Sequence, residues 1–197
     1  KRTVDSASFL TLLAATDSDG RAGSAKDPHT WLAPSNLVTI TEHVRDALIE
    51  ARPAASQTFT ANAAALIGEL TTLDTDFRRG LATCAIRPFV TSHAAFGYLA
   101  HAYNLEQIAV RGLEPDTEPT AARIAEVQRL ATANHVTTIF FETLVSPVVS
   151  ESIAADLGLV TDVLDPIEGI TADSRGTDYL EVMGSNLTAL RKANQCS

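Results

Sequence analysis

With 197 residues, of which 45% are hydrophobic and 20% charged, the chain has a globular composition with room for one sizeable core or two small lobes, which excludes a disordered or fibrous polymer. A formal net charge of −9 without any cluster of Lys or Arg leaves no electrostatic footprint for nucleic acid or an anionic membrane, and a cationic ligand or partner suits it better. No apolar run approaches the roughly 18 to 20 residues of a membrane helix, and nothing resembles a signal peptide. Residue 1 is lysine rather than methionine, so a processed or truncated chain is expected and export stays open. Arginine far outnumbers lysine and alanine is abundant, which points to a GC-rich bacterial genome.

The first 26 residues combine a short helical pattern (Phe9, Leu10, Leu12, Leu13) with a polar segment, 17–26, that reads as a loop. Next comes Asp27-Pro28-His29-Thr30-Trp31-Leu32-Ala33-Pro34. Its two prolines exclude helix on either side of His29, and the ring of Trp31 can anchor the stretch to the body of the protein. A loop that stiff can hold a ligand, although a histidine between prolines is also a common turn residue. Ser35 is a fair N-cap for a helix carrying Leu37, Ile40, Val44 and Leu48, which Arg52-Pro53 interrupts. Phe59, Ala63, Leu66, Leu70, Leu73 and Phe77 then form one apolar stripe on a helix of about 28 residues and about 42 Å. Such a helix could be half of a coiled coil, but it reads better as a spine running between lobes.

From Cys84 onward the period alternates. Strands are expected at 86–91, 107–110, 136–141 and 159–164, and helices at 94–103, from the Thr120 cap through Ile124, Val127 and Leu130, at 147–157 and at 179–193. Four strand–helix alternations imply an α/β fold: a four-stranded parallel sheet flanked by helices, joined to the long spine helix. The first 83 residues hold no comparable strand. Cys84 and Cys196 show no metal-type spacing; they are either separate buried thiols or one disulfide, and the bridge is favoured because a free thiol beside a frayed terminus gains little.

Open parallel sheets bind ligands beyond the carboxyl ends of their strands. Those ends carry Ser92-His93, Glu142 and Asp165, three metal-capable or acid/base positions on one rim, although helix capping also favours Asp at the last. A nearby helix N-terminus would keep the His93 imidazole neutral and able to ligate, and neutral imidazole with carboxylate is a donor set that Zn²⁺ takes. His43 reads as a solvated helical residue, His101 as packing and His135 as a turn residue. Asn186-Leu187-Thr188 matches the N-glycosylation pattern by chance inside a helix. No GxSxG elbow and no glycine-rich phosphate loop is present.

Asp27-Pro28-His29-Thr30-Trp31-Leu32-Ala33-Pro34, Thr91-Ser92-His93-Ala94-Ala95-Phe96-Gly97-Tyr98-Leu99-Ala100, Phe141-Glu142-Thr143 and Leu164-Asp165-Pro166 together resemble the metal-binding solute-binding proteins of ABC transporters for zinc and manganese. The resemblance covers essentially the whole chain and implies half of a two-lobed solute-binding fold: residues 1–34 a remnant of the first lobe with a ligand loop, 35–83 linking helices including the spine, and 84–197 the second α/β lobe. It implies His29, His93 and Asp165 as metal ligands, with Glu142 beside the site holding His93. Histidine at position 93, where manganese-type members place glutamate, favours zinc over manganese. Family members carry about a hundred further residues at the amino end, including another ligating histidine, so a C-terminal fragment with at most three protein ligands and weaker affinity is expected.

The resulting expectation is a zinc-binding, non-catalytic, monomeric component of an uptake system, periplasmic or anchored outside the membrane, which delivers its ion to an ABC permease. Affinity should fall as pH drops through about 6.5. Two alternatives share the residues: a zinc-dependent hydrolase with Glu142 as general base, and a manganese-binding or adhesin-like protein on the same fold.

Overall fold

Asp17-Ser18-Asp19-Gly20 closes a turn in which the Asp17 carboxylate accepts from the Asp19 and Arg21 amides at 2.9 and 2.8 Å. Gly20 completes it at φ +79°, which glycine adopts without strain. The computed structural model describes residues 3–197, and there this turn joins an antiparallel hairpin of β1 (Ala14–Thr16) and β2 (Ala22–Lys26). That corrects the reading of 17–26 as loop and of a strandless amino-terminal region. The cause lies in the residues: Ala22-Gly23-Ser24-Ala25-Lys26 carries no apolar alternation, so the strand leaves no periodic trace.

Pro34 occupies the first turn of α1 (Pro34–Ala51), where its missing N–H costs nothing. A 3-10 turn at Pro53–Ala55 then leads into α2 (Ser56–Gly80), the expected spine. Its stripe is buried at Ala63, Leu70, Leu73 and Phe77 but leaves Leu66 exposed, so the carboxyl-terminal half carries most of the packing.

The remaining elements alternate: β3 (Pro88–Thr91), α3 (Gly97–Tyr103), β4 (Glu106–Ala109), α4 (Ala121–Ala133), β5 (Thr138–Phe141), α5 (Val148–Leu157), β6 (Val160–Val163) and α6 (Tyr179–Ala193). The four strands form one parallel sheet in the order β4-β3-β5-β6. Successive residues point to opposite faces. Phe89 and Phe140 pack with Phe77 of α2, Leu99 of α3, and Met183 and Leu190 of α6, while Val90 and Ile139 pack with Val127 of α4 and Ile153 of α5. The carboxyl-terminal end of the spine thus packs over one face of the sheet together with α3 and α6.

Cys84 and Cys196 are disulfide-bonded, which selects the bridge from the two sequence readings. Beside it the Ala85 and Ile86 amides donate to the Gln195 and Asn194 carbonyls, fixing the chain's last residues to the entry of β3.

Candidate metal centre

Strand order reverses direction at β3, whose neighbours are β4 on one side and β5 on the other, and the crevice above such a point is where parallel sheets bind ligands. After Thr91 the chain bends for five residues before α3 begins, so His93 lies on a loop rather than in a helix. That loop is rigid. Thr91 Oγ1 and Gln107 Nε2 both donate to the His93 carbonyl, at 2.7 and 2.9 Å, and the Ala94 amide donates to the Gly112 carbonyl at 3.0 Å.

The His93 side chain is fully buried. Its Nδ1 lies 2.6 Å from Glu142 Oε1 at the end of β5, an oxygen that also accepts from Ser92 Oγ. With Nδ1 committed as the donor, Nε2 is the free lone pair, and it has no hydrogen-bond partner among the described residues. The other imidazole is held in the same manner. Asp27 Oδ1 accepts from both the His29 amide, at 2.9 Å, and His29 Nδ1, at 2.8 Å. His29 Nε2 then meets Glu168 Oε1 at 3.1 Å, and His93 Nε2 lies 3.6 Å from that same oxygen. The two rings are 5.4 Å apart, and ligand atoms of His29, His93 and Glu168 all lie within 4.8 Å of one another.

Glu168 reaches this point because of how the loop after β6 is folded. Asp165 Oδ1 accepts the Ile167 amide at 2.8 Å, while Ile167 adopts φ +57°, a conformation a β-branched residue rarely takes. Asp165 Oδ2 accepts from Ser174 Oγ at 2.8 Å and Thr143 Oγ1 at 3.4 Å. The Asp165 backbone is paired with the Asn186 side chain in both directions, at 2.9 and 2.8 Å. Asn186 is buried in doing so, consistent with a chance glycosylation pattern. A further tie joins the two ligand loops directly: Trp31 Nε1 donates to the Pro166 carbonyl at 2.8 Å, and Tyr179 donates to the Trp31 carbonyl at 2.7 Å.

Of the residues singled out in the sequence, His29, His93 and Glu142 therefore meet. Asp165 is buried on the same rim but is not part of the convergent trio, its carboxylate being engaged in shaping the loop. Glu168 and Asp27 were not singled out by sequence. Asp27 carried a signal, since an aspartate two residues before a histidine can bond that residue's amide. His43 stacks on Phe9 at 3.7 Å and His135 occupies a left-handed turn before β5, both outside the trio.

Burial pulls the His29 imidazole's pKa down, but hydrogen bonds and charges from Asp27 and then Glu168 outweigh it and leave the pKa raised. The two carboxylates thus favour the protonated imidazolium more than water would. Two oriented Nε2 atoms and a carboxylate oxygen can equally surround a divalent ion.

Comparison with known proteins identifies the chain's relatives. The family described as "Zinc-uptake complex component A periplasmic" (ZnuA) matches residues 1–193. The chain is 42% identical over 168 residues to the zinc-binding lipoprotein AdcA of Streptococcus pneumoniae, covering 84% of this chain and 34% of that protein. It is 33% identical over 169 residues to the high-affinity zinc uptake system protein ZnuA of Bacillus subtilis, covering 85% and 53%. The chain thus spans about a third to a half of the length of these relatives. Among solved structures, the Zn(II)-bound ZnuA-like domain of S. pneumoniae AdcA superposes with a TM-score of 0.80 at 38% identity, covering 98% of this chain and 70% of that one.

Proposed function

The chain belongs to the ZnuA family of zinc-uptake complex component A proteins, and from that membership we propose that it is a zinc-binding solute-binding component of an ABC uptake system. It holds Zn²⁺ as cargo between His29 Nε2, His93 Nε2 and Glu168, with Asp27 and Glu142 orienting the imidazoles, and passes the ion as a monomer to a membrane permease. We place it outside the cytoplasm, in the periplasm or anchored at the cell surface, which suits a disulfide-bonded chain. On this reading residues 84–197 are the lobe that carries His93 and Glu168, and 35–83 connect it to the His29 loop in 1–34.

One observation carries the proposal: His93 Nε2, buried and without a hydrogen-bond partner among the described residues, faces a second imidazole nitrogen and a carboxylate oxygen. Buried polar atoms are almost always satisfied, and a cation at this point satisfies all three. Two nitrogens with one oxygen suit zinc better than the harder manganese ion. Glu142 Oε1 is taken by Ser92 and His93, which suits a residue that orients the His93 imidazole.

The assignment of Glu168 over Asp165 is separable by mutation. Glu168→Gln is expected to weaken zinc binding more than about tenfold, with little change in metal-free stability, since its side chain is 30% exposed. Asp165→Ala should instead lower metal-free stability by about 1–3 kcal/mol, because it orphans the Ile167 amide and Ser174 hydroxyl. Zinc titration and thermal denaturation of both variants decide it, and the reverse pattern would make Asp165 the ligand.

Zinc binding competes with protonation of His29. Because its pKa is raised, protons compete with zinc already above the usual 6.5, and affinity should fall about tenfold per pH unit below the raised value. The metal-free protein has the opposite sign: the stabilisation from protonated His29 is complete below 6.5 and lost as pH rises through the raised value. Titrating zinc against a chelator at pH 7.5 and pH 5 reads the first effect; equal affinities would exclude histidine ligation.

A further inference from the structure

The hairpin is clasped to the α/β lobe at both of its ends. At its tip, the buried Arg123 of α4 donates through Nη1 to the Asp19 carbonyl at 3.1 Å, and through Nε and Nη2 to the Ala109 carbonyl at the end of β4, at 3.1 and 2.5 Å. Arg123 makes no ion pair among the described residues. Its guanidinium fork therefore joins the Asp19 backbone, 104 positions before it, to the backbone at Ala109. The fit is close: a Cβ on Gly20 would lie 2.1 Å from Arg123 Nη1, and one on Gly112 would lie 2.9 Å from the Asp17 backbone. At its base, the Tyr98 hydroxyl of α3 accepts from the Leu13 amide at 3.0 Å and donates to the Asp27 carbonyl at 3.0 Å. The Asp27 amide also donates to the Leu13 carbonyl at 3.1 Å, closing the hairpin where it enters the Asp27-Pro28-His29 loop.

Each clasp thus begins on the lobe that carries His93 and ends on the strap that carries His29. Arg123 holds the same β4 end whose following residues, Arg111 and Gly112, bond the Ser92 and Ala94 backbone beside His93. Tyr98 lies five residues beyond His93 on the same chain segment. We propose that Arg123 and Tyr98 are positioning residues for the metal site, acting through the β1–β2 hairpin to hold His29 Nε2 in register with His93 Nε2. The inference rests on the zinc reading above and adds what governs retention of the ion: the clasps work beside the Trp31–Pro166 tie, and loosening the strap lets the His29 ring move out of register with His93.

Three variants approach the strap from different sides. Tyr98→Phe removes only a hydroxyl, Arg123→Met removes the guanidinium fork, and Gly20→Ala strains the turn at φ +79° and crowds the Arg123 guanidinium at the tip. Arg129→Met on the outer face of α4 breaks only a surface pair with Glu126 and serves as control. The experiment measures zinc affinity, the zinc dissociation rate and the visible absorption of Co²⁺ in the same site, alongside the metal-free melting temperature. Expected is a roughly tenfold faster zinc dissociation in all three, at the low end of the effect of groups that orient metal ligands, with weakened or shifted Co²⁺ bands and a normal control. The Co²⁺ bands matter because a merely structural loss lowers the melting temperature without altering ligand geometry. Wild-type affinity and unchanged Co²⁺ spectra in the variants overturn the strap alone. Failure of the wild-type chain to bind zinc overturns the site reading and the strap with it.

Discussion

Zinc affinity is expected to fall by more than about a hundredfold in His93→Ala and to stay at the wild-type value in His43→Ala. The size follows from what a protein ligand contributes: zinc affinities of about 10–16 kcal/mol, spread over the three protein donors, give about 3 to 5 kcal/mol for each, and 1.4 kcal/mol is tenfold. His93 also has no substitute within the site. Its Nδ1 is fixed on Glu142, its Nε2 is the unpartnered atom facing Glu168, and truncation leaves the Glu142 carboxylate holding only Ser92. His43 sits exposed on α1, stacked on Phe9, and contributes a surface ring contact. Circular dichroism of the metal-free variants separates lost ligation from lost fold, since His93→Ala opens a buried cavity that His43→Ala does not. Comparable losses in the two variants would remove the site from His93.

What could be read from the sequence followed from rules that act over a few residues. Proline on either side fixed the stiffness of the His29 loop, and alternation of the two periods located the four strands closely enough to place His93 and Glu142 at neighbouring strand ends. Tyr179–Ala193 is found as expected because a cap, Asp178, and a clean apolar stripe act together. Glu168 depended on something no local rule supplies. In Leu164-Asp165-Pro166-Ile167-Glu168 two acids compete for the rim, and the outcome is set by Ile167 at φ +57°, braced by the Asp165 carboxylate and by Asn186 from a helix 21 positions away. The hairpin was hidden for a related reason. Its strands are made of small and polar residues, and it is clasped by Arg123 and Tyr98 from the distant lobe. In both cases a side chain remote in sequence bears on a backbone conformation next to a member of the convergent trio.

Reducing the disulfide, or replacing both cysteines by serine, is expected to cost about 4 to 5 kcal/mol of stability and to lower the melting temperature by roughly 10–20 °C. Cys84 and Cys196 are 112 positions apart, so opening the bridge releases nearly the whole α/β lobe to explore the unfolded ensemble. The loss should spare the zinc site at 25 °C. Cys84 precedes the entry of β3, and His93, Glu142 and Glu168 all lie beyond the opposite, carboxyl ends of the strands. The link between the two edges is α6, whose Tyr179 and Asn186 brace the ligand loops near its start while the bridge secures the residues after its end. Thermal denaturation with and without reductant, followed by zinc titration of the reduced protein, tests both halves. An unshifted melting temperature would mean that the Thr83–Ser197 and Asn194 contacts already close the loop without the covalent bond. A large loss of zinc affinity with the fold intact would mean that strain at one edge of the sheet reaches the other through α6.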